Sequence, residues 1–283
     1  MKPLSGLLEK ILNGIRVQPR EGDYYGEDGL LRCGRCGQPR EFRFDNWQVP
    51  GFEGREPRFT VRPDLCMCER DEQEARERRE AMLAEDRARR ANRSRCFDFG
   101  GMEACRFERD DRRDAHASDV CHSYVEHFED AKAEGQGILM TGGFGNGKTF
   151  LAGCVANALL DKGYRVRFTS LANLNSRITS NYGNSGPVID ELAACDLVVL
   201  DDLGTERKTS TANENAYQIV NALYSRKIPM LFTTNIPARE IGSDDNPDNA
   251  RIYSRIIERC MPLKVEGDDR RKHTGGTDWK FGR

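Results

Sequence analysis

From about residue 100 onward, short runs of apolar, β-favouring residues alternate with stretches whose apolar positions recur at helical spacing. "GILM" (137–140), "YRVRFTS" (164–170), "DLVVLDD" (196–202) and "PMLFTTN" (229–235) read as strands. Segments near 148–162, 171–181, 187–194 and 211–227 read as helices, with Gly163 stopping the first. Parallel neighbours need a long return connection, so this alternation predicts a parallel α/β sheet with helices on its faces.

Upstream the pattern changes. Residues 69–95, "ERDEQEARERREAMLAEDRARRANRSR", hold eight acids and nine bases with hardly any apolar residue. Glu72/Arg76, Glu74/Arg78 and Glu85/Arg89 place the acid four residues before the base, the order that supports a helix by ~0.2–0.5 kcal/mol per pair. The stretch reads as a solvated helical connector, though its composition would also suit a disordered linker. Residues 1–68 are rich in Gly, Pro, Arg and aromatics. Their opening, "MKPLSGLLEKILNGIRVQPR", has no apolar core of signal-peptide length and reads as a short amphipathic helix. The expected division is therefore 1–68, a helical linker at 69–99, and an α/β domain at 100–283.

Composition narrows the class. The 283 residues, 37% of them apolar, suffice for one medium domain and one small one, and no run approaches the ~20 apolar residues of a bilayer span. A net charge of −2 argues against a chain that coats nucleic acid uniformly. The chain reads as cytoplasmic. Of the ten cysteines, four form two tight pairs near the N-terminus and six are scattered, which suits one metal site plus reduced core thiols rather than a disulfide framework.

The strongest chemical signal is "GGFGNGKT", which satisfies G-x-x-x-x-G-K-[ST] between a predicted strand and helix. In such a P-loop, Gly142, Gly143, Gly145 and Gly147, with Asn146, let backbone N–H groups curl around phosphates of ATP. Lys148 supplies charge to the β/γ-phosphates, Thr149 a hydroxyl to Mg²⁺, and Phe150 opens the helix whose dipole favours the anion. In "DLVVLDDLG" an apolar strand delivers two acids to the same sheet edge: Asp201 to hold Mg²⁺, Asp202 to polarise the attacking water. In "LFTTNIP" the strand delivers Thr234 and Asn235, neutral groups suited to positioning that water.

Taken in order, the P-loop, "VVLDDLG", "FTTN" and "RIYSRI" resemble the AAA+ ATPases of the DnaC/DnaI replicative helicase-loader group, related to the ATPase helpers of IS21-type transposons. The resemblance covers about residues 100–273. It implies an AAA+ P-loop fold with the helical lid largely absent, and ATP hydrolysis in a self-associating ATPase domain. It makes Asn235 the sensor-1 residue and puts Arg251 and Arg255 in the box that carries the arginine finger. Within "RIYSRIIER", Arg255 is expected as the finger, Arg251 as its interface support and Arg259 as surface; Arg271, beside Arg270, matches a sensor-2-like arginine. The implied partners are a hexameric replicative DNA helicase and single-stranded DNA.

Cys33-x2-Cys36 and Cys66-x-Cys68 suit tetrahedral Zn²⁺, and a zone so poor in apolar periodicity needs such a staple. Phe42, Phe44, Trp47 and Phe52 are expected to pack this small domain, which in the resembling loaders grips the helicase. Arg177, Arg207 and Lys208 are weaker candidates for contact with DNA. The expected function is an ATP-dependent helicase loader. A transposition helper ATPase and a zinc adaptor that binds nucleotide without turnover compete with it.

Overall fold

The computed structural model describes residues 17–45, 59–205, 209–237, 240–241 and 247–269. Residues 1–16 of the expected opening helix, and Trp47, Phe52, Arg207, Lys208, Arg270 and Arg271, lie outside them. The chain divides into two compact units, Met1–Glu85 and Asp86–Arg283.

The first unit carries two small antiparallel hairpins, β1 (Tyr24–Tyr25) with β2 (Leu31–Arg32), and β3 (Glu41–Asp45) with β4 (Phe59–Pro63). Its interior is mostly polar. Arg40 is buried and pairs with Asp23 and with Glu69, the latter at 3.0 Å, while the Glu41 carboxylate accepts the Leu31 N–H at 3.1 Å. Leu31 is the one large aliphatic side chain buried among the described residues of this unit. Phe42, expected to pack here, is instead 41% exposed, because strand alternation turns it away from its buried neighbour Glu41.

Helix α1 (Met67–Cys96) covers the charged stretch, and its side chains are exposed along nearly its whole length. Glu74 and Arg78 pair at 3.0 Å and Asp86 and Arg90 at 2.8 Å. Glu72 is drawn to Arg35 rather than to Arg76.

The second unit is a five-stranded parallel sheet of β5 (Gly137–Thr141), β6 (Val166–Thr169), β7 (Leu197–Leu203), β8 (Met230–Thr234) and β9 (Cys260–Lys264), in the order β6-β7-β8-β5-β9. Its helices are α2 (Ala115–Glu126), α3 (Phe128–Glu134), α4 (Lys148–Asp161), α5 (Leu171–Ser180), α6 (Gly186–Ala193), α7 (Ser210–Ser225) and α8 (Pro247–Arg259). Alternate strand residues feed two cores. Ile138, Met140, Leu197 and Val199 pack with α2, α3 and α4, whereas Leu139, Val198, Leu200 and Phe232 pack with α5, α6, α7 and α8. Side-chain caps from Asp114, Ser170 and Thr209 start α2, α5 and α7.

The four expected strands are present, and β9 is a fifth. "CMPLK" is short and has Pro at its centre, so it carries little strand signal. It pairs on one side only, with β5, and an edge strand tolerates the missing N–H of Pro262. None of the ten cysteines is in a disulfide; burial pushes the Cys96 and Cys121 thiols up to about 12, so they are protonated core groups.

Candidate functional site

The connection from β5 to α4 brings residues 142–147 across the C-terminal edge of the sheet. Gly142 (φ 151°) and Gly145 (φ 70°) are required by space as well as by backbone: a Cβ would strike the Asn146 amide and the Val265 carbonyl at the first, and the Asp269 carboxylate at the second. The Asn146 amide donates to the Val265 carbonyl, fastening the loop to the segment that follows β9.

Phe144, Gly145, Asn146, Gly147, Lys148, Thr149 and Phe150 line a cleft of about 400 Å³, with Asp202, Thr205 and Asn235 opposite. Lys148 is only 5% exposed. Its Nζ lies 3.0 Å from Gly142 O, 2.7 Å from Gly143 O, 3.1 Å from Asn146 Oδ1 and 2.8 Å from Asn235 Oδ1. These four acceptors are neutral dipoles, which orient the ammonium. Such a cation can meet a phosphate.

The end of β7 sets the acids. Its ladder with β8 shifts register between Leu200 and Leu203, and Asp202 has φ 56°, a conformation uncommon for a side chain larger than glycine. Asp201 turns inward, where its Oδ1 accepts from Thr149 Oγ1 at 3.0 Å and from Thr233 Oγ1 at 2.5 Å. Asp202 is exposed on the cleft wall, and its N–H donates to Thr233 Oγ1 at 2.9 Å. Burial holds the Asp201 carboxyl above the ordinary range, and the charge of Asp202 adds to this against the Thr233 and Thr149 hydroxyls. A divalent cation would relieve that strain, and the Thr149 and Asp201 oxygens are hard donors that fit Mg²⁺.

Thr233 is the residue that sequence reasoning missed. "FTTN" draws attention to Thr234, yet the Thr234 hydroxyl donates to the Leu203 carbonyl and is a stitch between strands. Period-two alternation puts Thr233 and Asn235 on one face, and that signal could have found it.

The arginines of α8 are not among the cleft-lining residues. Arg251 is exposed, and Arg255 is half-buried against α7. Arg259, expected on the surface, is also half-buried: it donates to the Glu134 carbonyl at 2.9 Å and lies over the Tyr224 ring. Arg177 is held by Glu191. Arg271 lies outside the described residues.

In the first unit the sulfurs of Cys33, Cys36, Cys66 and Cys68 all lie within 4.8 Å of one another, with Cys33 and Cys68 at 3.8 Å. Tetrahedral ligation at ~2.3 Å separates sulfurs by about 3.8 Å, so the four thiols fit Zn²⁺ as a donor set. Backbone N–H groups of Cys68 and Gln38 draw Cys36 down to about 6, while burial pushes Cys66 up to about 12. Among the described residues this is the one such group of potential metal ligands.

Over residues 68–276 the chain matches a family model described as IstB-like ATP binding protein. It is 24% identical over 168 residues to the replicative helicase loader DnaI of Bacillus subtilis (strain 168), covering 55% of this chain and 52% of that one. It is 30% identical over 122 residues to the replicative helicase loader DnaC of Escherichia coli (strain K12), covering 42% and 49%. The chain thus spans about half the length of these curated relatives. A crystal structure of DnaI superposes with a TM-score of 0.52 at 22% identity, over 62% of this chain and 95% of that one. That likeness is one of fold: a parallel sheet with helices on its faces.

Proposed function

The chain belongs to the IstB-like ATP-binding family, and from that premise we propose that it is an ATP-dependent loader of a hexameric replicative DNA helicase onto single-stranded DNA. The observation that carries the reading is the convergence of Lys148, the Thr149–Asp201 pair, Asp202 and Asn235 on one cleft. Bound ATP supplies the transferring phosphoryl group, and Mg²⁺ neutralises its charge. Lys148 binds the β/γ-phosphates, Thr149 and Asp201 hold the metal, and Asp202 orients the attacking water with Asn235 beside it. Gly142, Gly143, Gly145, Asn146 and Gly147 cradle the phosphates and Phe150 begins the helix behind them. Self-association through residues 100–283 brings Arg255, supported by Arg251, to the site of a neighbouring copy, where such a residue changes turnover by ~10³–10⁵. Arg271 takes the role of a sensor-2-like arginine toward the nucleotide.

In this reading residues 1–68, stapled by Zn²⁺ on Cys33, Cys36, Cys66 and Cys68, grip the helicase, and residues 69–99 connect them to the ATPase. The test combines full-length protein with the replicative helicase of its own source organism on forked DNA whose single strand is coated by binding protein. Strand separation that needs this chain, ATP and Lys148 together supports loading. Separation that proceeds equally without the chain contradicts it.

A further inference from the structure

Arg255 has an unusual environment for a half-buried cation. On α7 the residues Tyr217, Asn221 and Tyr224 stand at i, i+4 and i+7, one face of the helix, and the Arg255 guanidinium lies on it. Nε donates to Asn221 Oδ1 at 2.9 Å, Nη2 to the Tyr217 hydroxyl at 3.2 Å and Nη1 to the Arg251 carbonyl at 3.0 Å. Its central carbon is 4.9 Å from the Tyr217 ring centre and 5.7 Å from that of Tyr224. Every one of these partners is neutral. The carboxylate next along α8, Glu258, is engaged by the Tyr224 hydroxyl at 2.7 Å instead.

A buried charge is usually paired with an opposite one. Arg255 is instead fixed in direction by two rings and three hydrogen bonds, with no carboxylate among the described residues paired to it, and the rest of its five N–H groups can serve another partner. An oriented, partly desolvated cation of this kind matches an anion that arrives from outside the chain. Its own cleft does not include it. We infer that the Tyr217–Asn221–Tyr224 face of α7 is a positioning device that presents Arg255 to the γ-phosphoryl group of ATP bound in a second copy of this chain. The inference rests on the in-trans arginine of the proposed function, and adds the residues that set its geometry.

The test uses full-length mixtures. A Lys148→Ala chain, dead in its own site but carrying Arg255, is mixed with an Arg255→Ala chain that has an intact site, and junction turnover is measured. Adding Asn221→Leu to the Lys148→Ala chain should lower junction kcat by ~10- to 100-fold, the scale of misplacing a catalytic group by about 1 Å, with KM for ATP unchanged because ATP binds in the other chain. Asn221→Gln, which keeps a neutral amide oxygen as acceptor for Nε, should restore turnover to within about threefold of the unsubstituted mixture, about the worth of one modest hydrogen bond. Thermal melts of both variants report on folding. A loss that follows the chain supplying the site rather than the chain donating Arg255, or no loss at all, overturns the inference while leaving the proposed function standing. Full assembly-dependent turnover by Arg255→Ala alone would remove the in-trans reading and this inference with it.

Discussion

The two units hold together by different means. The sheet unit buries apolar side chains on both faces of five strands, from Ile138 and Leu197 on one side to Leu139 and Phe232 on the other. The cysteine unit buries Leu31, two thiols and a charged network of Arg40, Asp23 and Glu69 around hairpins of two and five residues per strand. A core of the first kind loses stability in increments as methylenes are removed. The second has little apolar area to lose and depends on a few groups, each of which matters to all the others.

The sharpest way to break this contrast is to remove a thiol. On the proposal that these thiols hold one Zn²⁺ per chain, Cys33→Ser or Cys66→Ser should abolish that binding and unfold the two hairpins, seen as loss of their dispersed amide resonances, while nucleotide affinity stays within about twofold. Undiminished zinc content in the variant would show that these cysteines do not form the site. On the other unit, Leu192→Ala should cost about 2–5 kcal/mol in denaturant unfolding without loss of metal. A smaller effect is expected at Thr233→Val, which leaves the Asp202 N–H and the Asp201 carboxylate without a shared hydroxyl; the Mg²⁺ concentration for half-maximal turnover should rise by ~3- to 10-fold.

The smallest effect concerns Asp196. Burial pushes its carboxyl up, but Lys132 and the Arg165 N–H outweigh that and hold it below the ordinary range. A depressed folded value contributes stability above the unfolded value near 3.9, and that contribution is lost as pH falls through the folded one. The melting temperature of Asp196→Asn should therefore fall less steeply than wild type below about pH 4. Identical slopes would show that Asp196 does not link folding to pH.

The alternation of apolar runs made four of the five strands and the crossover helices legible, because a buried parallel strand is written as an uninterrupted run such as "LVVL". β9 was not, since its place comes from pairing with Gly137–Thr141 more than 100 residues away and from no pattern of its own. The P-loop, Asp201, Asp202 and Asn235 could be read because each chemical group has a fixed spacing from an element end. Thr233 was hidden by a repeated residue, and the contacts of Arg255 and Arg259 by the fact that their partners, Asn221, Tyr217, Tyr224 and the Glu134 carbonyl, sit on helices distant in the chain. In the cysteine unit the ligand pattern was visible, whereas the buried Arg40 network had no periodic signature.

In the proposed hydrolysis the decisive residue is Asp202, which stands on the cleft wall at a strand end whose backbone is bent to present it. The direct measurement is Mg²⁺-dependent phosphate release from ATP by full-length Asp202→Asn protein, with ATP affinity determined on the same sample. Unchanged affinity with turnover reduced by ~10²-fold or more is the predicted result; turnover at the wild-type rate would contradict the assignment of this cleft as one that uses Asp202 to split ATP.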